Sequence, residues 1–339
     1  MLAAVYKGES TIAVEEMAVP DVGPAQVLLE VSHCGVCGSD VHTLVENWGR
    51  PGSVAGHEYS GVVVAVGEDV EGWREGDRVV GGPRRGCGRC RPCAEGRTNL
   101  CASRPKAGLD PFVGAFATYK VVDADCLYRV PDGLDLRTAA LTEPVAVALH
   151  GIGKARPASS SRVLVTGAGP IGLLHVAVLQ TMGVEQVFVS EPASRRRDLA
   201  VRLGAAGVVE PQDLIQPQWP TDLVAEPYQV AFDCSGNREA MENALANLDV
   251  GGTLVLSGTG MRRPRFDPNR IILNELTITG TVEYTPEDYH RSLELLAQRR
   301  IPTGMLIEPD DQPLSRLEWA LDRLSAGEIA GKVMVVPRA

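Results

Sequence analysis

Four cysteines stand within fifteen residues, Cys87, Cys90, Cys93 and Cys101, in the run CGRCRPCAEGRTNLC. Thiolates at this Cys-x2-Cys-x2-Cys-x7-Cys spacing, on a loop rich in Gly, Arg and Pro, can converge tetrahedrally on one Zn²⁺ with no side chain left over. A disulfide pair needs no such run of close spacings. A site closed by four thiolates has no open coordination position, so it holds a loop, here about 84–104, and does no chemistry. A second set is of the open kind: Cys37 in CGVCGSD, with His57 and Glu58 in AGHEYSG. Thiolate, imidazole and carboxylate from separate loops form a reactive zinc site when the last position is left to water or substrate. Singly, each has a plain reading as a packed or core residue, and only their company makes them a metal site.

A third cluster binds phosphate. Gly167, Gly169 and Gly172 stand in GAGPIG, with Pro170 and Ile171 between them, after the strand RVLVT and before an apolar helix. The first glycine makes a tight turn, the second lets backbone approach a pyrophosphate, and the third allows close helix–strand packing. The free N–H groups and positive dipole of the helix N-terminus then receive the pyrophosphate. Glu191 ends the next strand, QVFVSE, where a carboxylate accepts hydrogen bonds from an adenosine ribose and repels a 2′-phosphate. That favours NAD over NADP. The rival signal is the run Arg195, Arg196 and Arg197, a possible phosphate clamp; a solvated helix face is the reading for at least two of them, with Arg196 kept as a cofactor contact.

These residues need two kinds of scaffold. The first 130 residues carry short β runs punctuated by Gly and Asp: QVLLEVSHCGV, SGVVVAVGE, DRVVGG and FATYKVVD. They predict a compact, irregular β domain with long functional loops. From about residue 161, apolar strands alternate with amphipathic helices through RVLVTGAGPIGLLHVAVLQTMG, QVFVSEPASRRRDLAVRLG, QVAFDCSGNREAMENALANL, GGTLVLSG and ELTITGT. Such βα alternation predicts an α/β domain with a parallel, doubly wound sheet. PQDLIQPQWPTDLVAEPYQ reads as a surface connection within it, and the tail adds helices at YHRSLELLAQRR and LEWALDRLSAG before a last strand, KVMVVP.

At 339 residues the chain is long enough for two domains of roughly 100–200 residues each. The net charge of −10 argues against nucleic acid or an anionic membrane as partner. The N-terminus meets acidic residues before it builds a signal-peptide apolar core, and Gly, Pro or charge breaks every long apolar stretch. Eight cysteines, half of them in one ligand cluster, suit a reducing cytoplasm.

With these motifs in view, the chain resembles the zinc-dependent medium-chain dehydrogenase/reductase family over essentially its whole length. The resemblance rests on CGVCGSDVH, GHEYSG, DRVV, the four-cysteine lobe, TEPVAVALHG, GAGPIG and the final GK, in the family's order. It implies a GroES-like catalytic domain over 1–150 and 283–339 and a Rossmann domain over 151–282. It also implies two zinc ions per chain, NAD, and a catalytic zinc on Cys37 and His57. The remaining protein ligand is either Glu58 or Glu143, the latter opening the domain-crossing helix in TEPVAVALHG. The Glu-Pro form is similar to the polyol, threonine and butanediol dehydrogenase branch, and TVEYTPEDYH resembles the butanediol type.

Further roles follow from the same resemblance. Ser39 sits beside the reacting oxygen, and His42 delivers the proton to solvent by way of the nicotinamide ribose, as a general base. Asp40 buttresses the loop, and Lys332 in the closing GK reaches the cofactor pyrophosphate. Cys34 is small packing. His33, His150, His175 and His290 are structural or exposed, and Trp48 is a pocket wall or a core residue. The implied reaction is NAD-linked oxidation of a secondary alcohol, a diol, polyol or related compound. Pocket shape depends on residues around 44–52, 83, 110–116 and 282–285. The strand near ELTITGT can pair across a two-fold axis, giving a homodimer or homotetramer.

Two alternatives stand beside this one. A zinc-free quinone or enoyl reductase on the same scaffold is opposed by Cys37, His57 and the cysteine lobe. A nucleotide-binding protein without turnover is opposed by Cys37, Ser39, His42 and His57 all being present.

Overall fold

The computed structural model describes residues 1–46, 48–104 and 113–338. The expectations about pocket shape that fall on residues 47 and 110–112 lie outside them. Two compact units divide the chain: Met1–Ala146 with Tyr284–Arg299 and Ile307–Ala339, and Val147–Glu283 with Arg300–Leu306.

In the first unit a hairpin of β1 (Leu2–Gly8) and β2 (Thr11–Glu16) accompanies a seven-stranded sheet. That sheet is formed by β3 (Gln26–Gly35), β4 (Glu58–Val66), β5 (Arg78–Gly81), β6 (Tyr119–Asp123), β7 (Leu127–Arg129), β14 (Gln312–Pro313) and β15 (Met334–Val336). Its order is β14-β15-β3-β4-β5-β7, with β6 also on β3. Val27, Leu29, Val31, Val63, Val79 and Phe116 are buried in one core with Leu317 and Leu321 of α11 (Leu317–Ser325). Around the sheet lie α1 (Gly38–Leu44), α2 (Arg91–Ala94), α3 (Leu136–Ala139) and α9 (Pro286–Ala297). The pairing Gly35↔Glu58 in the β3–β4 ladder matters most, because it brings the turn after β3, with Cys37, to the turn before β4, with His57.

The second unit is the doubly wound sheet that the βα alternation predicts. Six parallel strands run in the order β10-β9-β8-β11-β12-β13. They are β8 (Arg162–Thr166), β9 (Gln186–Ser190), β10 (Gly207–Val209), β11 (Tyr228–Asp233), β12 (Leu248–Leu256) and β13 (Thr277–Gly280). Such order reverses direction between β8 and β11, and dinucleotides bind at the carboxyl ends of strands flanking that reversal. Val163, Leu164 and Val165 are all fully buried, as a strand covered on both faces requires. The unit's helices are α5 (Pro170–Thr181), α6 (Ser194–Arg202), α7 (Arg238–Ala246), α8 (Pro268–Leu273) and α10 (Thr303–Leu306), with α4 (Thr142–Ala155) running across the division between units.

Residues 300–306 depart from the expected boundaries, which put everything from 283 on in the first domain. They belong to the second unit because α10 packs on α5 and Arg300 donates to Thr181 O at 3.2 Å.

α5 is buried from Gly172 to Leu179, a stretch that includes His175. The His175 ring packs on Phe232, and its Nδ1 lies 2.9 Å from Ile171 O. Burial pushes its pKa down to about 4. In the unfolded chain the ordinary value applies, so below about pH 6.5 the unfolded state binds a proton that the fold refuses. Stability is therefore lost progressively from about pH 6.5 down to about pH 4. Between about pH 7 and pH 5 the loss from this residue is roughly 2 kcal/mol. Urea unfolding of wild type and His175→Leu at both pH values checks it: the variant loses less stability on acidification, and equal losses contradict the assignment.

Candidate active site and metal centres

Cys37 is the N-cap of α1, and the Asp40 carboxylate accepts its N–H at 3.0 Å. The other Asp40 oxygen lies 3.7 Å from His57 Nδ1. A buried carboxylate on the Nδ1 side of the imidazole suits metal ligation through the far nitrogen. One donor atom each from Cys37, His57 and Glu58 falls within 4.8 Å of the others.

Glu58 is fully buried. Lys332 Nζ donates to its Oε1 at 2.6 Å and to Val36 O at 3.0 Å, whereas Oε2 has no hydrogen-bond partner. A buried carboxylate oxygen left bare beside a thiol and an imidazole is what a cation site requires. Gly35 makes the room, since a Cβ there would collide with that same oxygen. Burial opposes the Lys332 charge, but the Glu58 carboxylate raises its pKa above the ordinary lysine value. Lys332 is thus a correction: its ammonium is committed to Glu58 inside the first unit, not turned to a pyrophosphate. No local pattern links residues 274 positions apart.

Glu143, in the first turn of α4, is buried and lies outside the 4.8 Å set. Burial pushes its carboxyl up to about 7; His57, Lys332 and the Tyr284 hydroxyl oppose the shift and Glu58 adds to it. Those four are its electrostatic neighbours, so Glu143 shares the site while its carboxylate stands back from the ligand set. Tyr284 lies in the TVEYTPEDYH segment and in the 282–285 stretch expected to shape the pocket, and its hydrogen bond to Glu143 is the contact that the sequence did not specify.

Ser39 and His42 are three apart on α1 and so share a face. His42 Nδ1 is 2.8 Å from Glu46 Oε2, and the ring stacks on Trp48 with centroids 4.8 Å apart. Trp48 is 42% exposed, which corrects the core reading. Glu46, unremarked in the sequence, is the carboxylate that orients the His42 ring.

In the cysteine lobe, the Sγ atoms of Cys87, Cys90, Cys93 and Cys101 also fall within 4.8 Å of one another. Backbone N–H groups of Arg89 and Cys90 pull the Cys87 thiol down to about 6. Cys101 Sγ accepts from Cys87 N at 3.3 Å and Ser103 N at 3.4 Å, which lowers its pKa too. At these two sulfurs preformed donors favour the thiolate that a metal needs, whereas burial and the neighbouring thiols push the Cys93 thiol up.

In the second unit, Gly167 has φ +89°, a Cβ on Gly172 would collide with Gly167 O, and one on Gly169 would meet nothing within 4 Å. Gly169 is the N-cap of α5, Pro170 and Ile171 form its first turn, and no side chain caps it. The open loop and uncapped N–H groups suit an anion. Glu191 Oε2 accepts from Ala168 N at 2.7 Å and Oε1 from Ala193 N at 3.0 Å, so the acidic residue is tied to the glycine loop itself.

The arginine run is corrected in part. Arg195 is exposed, but the Arg197 guanidinium donates to the Glu191, Pro192 and Glu210 oxygens, and Arg196 lies 4.0 Å from Glu191, largely buried. Only one of the three is a solvated face.

Comparisons with known proteins agree with this geometry. Residues 23–132 match the alcohol dehydrogenase GroES-like domain and residues 170–298 the zinc-binding dehydrogenase domain. Sorbitol dehydrogenase of Bacillus subtilis is 32% identical over 348 residues, covering 99% of this chain and 97% of that protein. Among solved structures, 2R,3R-butanediol dehydrogenase of B. subtilis superposes with a TM-score of 0.85 at 29% identity, covering 99% of each chain. A zinc-binding dehydrogenase of Sinorhizobium meliloti bound to NADP does so with 0.87 at 30%, again over 99% of each. With its two thiolate-bearing sites, its glycine loop and its near-complete overlap with these proteins, the chain belongs to the zinc-dependent medium-chain dehydrogenase/reductase family, in its polyol dehydrogenase branch.

Proposed function

We propose that the protein oxidises a secondary hydroxyl of a polyol or diol to the ketone, with NAD⁺ taken to NADH and a proton released. The observation that carries this reading is that donor atoms of Cys37, His57 and Glu58 lie within 4.8 Å of one another, beside a buried Glu58 oxygen without a hydrogen-bond partner. Glu58 is the direct third ligand in this account, and Glu143 the carboxylate that stands behind it. Zinc bound there supplies Lewis acidity that makes an alcohol more acidic, and NAD supplies the hydride acceptor. The rest falls to the chain's own groups. Asp40 orients His57, Lys332 holds Glu58, Ser39 and His42 carry the alcohol proton toward solvent, and Glu46 fixes the His42 ring so that Nε2 receives it. A second zinc, on the four cysteines, is structural.

Glu191 decides the cofactor. A 2′-phosphate brought beside that carboxylate meets like charge, and the ribose loses an acceptor for its hydroxyls. The S. meliloti structure holds NADP, so this prediction separates two relatives' behaviour. The expected result is a preference for NAD⁺ on the order of 10²-fold in kcat/KM. Initial rates with sorbitol, xylitol, 2,3-butanediol and a primary alcohol, each with both cofactors, test the reading. Turnover of the primary alcohol alone, or a preference for NADP⁺, counts against it.

A homodimer or homotetramer in the cytoplasm completes the proposal. β13 is an edge strand, and Ile272 and Leu273 just before it are 69% and 58% exposed. An open edge flanked by bare apolar side chains favours pairing with a second copy. Among the described residues no helix is long and apolar enough to cross a membrane, and all eight cysteines are free thiols.

A further inference from the structure

Among the polar side-chain atoms of the second unit that are buried without a hydrogen-bond partner, three belong together: His175 Nε2, Ser257 Oγ and Thr281 Oγ1. They meet around Gly151 of α4. A Cβ built on that glycine would stand 3.0 Å from His175 Nε2 and 3.2 Å from Ser257 Oγ, with the Thr281 methyl at 3.6 Å. We propose that this space is a binding site for one internal water molecule, bonded to His175, Ser257 and Thr281.

The chemistry selects the occupant. His175 Nδ1 faces the Ile171 carbonyl at 2.9 Å, and a carbonyl only accepts, so Nδ1 carries the hydrogen. The ring is neutral, because burial holds its pKa near 4. Nε2 is therefore a bare lone pair that must be given a proton by its partner. The two hydroxyls can each donate or accept. A cation would bring unpaired charge to a site walled by an imidazole and two hydroxyls, and an anion would face the Nε2 lone pair. Water donates and accepts, needs two to four polar partners, and fits where a glycine leaves out a side chain. The Cys234 thiol, 3.5 Å from Nδ1, is on the other side of the ring.

The position gives the water a purpose. Ser257 follows the end of β12 by one residue, and Thr281 follows β13 likewise. Both strand ends are on the carboxyl edge where such sheets bind dinucleotides. The water thus ties that edge to α5 and α4 from within.

The test uses the full chain. Thr281→Val and Ser257→Ala each delete one hydroxyl with little change of shape. Bonded to water, each loses a hydrogen bond, and Tm falls by about 2–4 °C. Because both hydroxyls share one water, the double variant falls by less than the sum. Unpartnered hydroxyls in a dry site give the opposite sign, since removing them leaves Tm unchanged or raises it. A crystal structure of the wild type decides the same point directly: density for a single water in hydrogen-bond range of His175 Nε2 and both hydroxyls is expected. Empty density, an ion there, or Tm values that do not fall overturns the proposal.

Discussion

Cys37→Ala is expected to lower kcat/KM for alcohol oxidation by at least about 10³-fold while leaving the second unit folded and able to bind NAD⁺. The size follows from what a Lewis acid contributes to removing a proton from an alcohol, several kcal/mol, at about 1.4 kcal/mol for each tenfold in rate. Cys37 contributes the single thiolate of its set, and the β3–β4 register and the Asp40 cap on its own N–H both serve to place it. Removing the sulfur leaves His57 and Glu58 as a pair, too few to hold zinc at an open position. Steady-state rates, zinc content and NAD⁺ affinity measured on the same preparation distinguish this from unfolding. Wild-type turnover in a Cys37→Ala protein contradicts the metal site.

The second large effect is expected at the four-cysteine lobe. Cys93→Ser should remove one zinc equivalent per chain and speed proteolysis within about 84–104 by at least about 10-fold, with little change in turnover at low temperature. Of residues 84–104 only Asn99 and Cys101 are buried, and the lobe's ordered elements are a four-residue helix and a single 3₁₀ turn. Pieces so short do not hold themselves in water. Their order has to come from a cross-link, and four thiols within 4.8 Å supply one when metal binds. Full zinc content in Cys93→Ser, with unchanged proteolysis, removes the four-thiolate assignment.

Motifs that are short in sequence were the legible ones. The glycine loop, its strand and its helix are adjacent in the chain, so tight turn, uncapped helix and acidic strand end all follow from local rules. The cysteine lobe is legible for the same reason. What stayed hidden is set by tertiary contact. Lys332 reads from the sequence as a contact to the cofactor pyrophosphate, and only the sheet that places β15 on β3 brings it to Glu58. Arg197 looks like one of three surface charges until the Glu191 and Pro192 carbonyls and Glu210 surround it. Gly35 carries no signal at all, because its purpose is the space it leaves for the carboxylate of Glu58, distant in sequence and directly opposite it in the ladder. Trp48 departs from the core reading because its ring, stacked on His42, is 42% exposed.

The most direct measurement is the hydride itself. A polyol deuterated at its secondary carbinol carbon, incubated with the zinc-replete protein and NAD⁺, should yield NADH carrying the deuterium, detected by mass spectrometry, together with the ketone in equal amount. The same incubation with Cys37→Ala should yield neither. NADH formed without deuterium, or no NADH from any polyol or diol offered to the zinc-replete protein, contradicts the account.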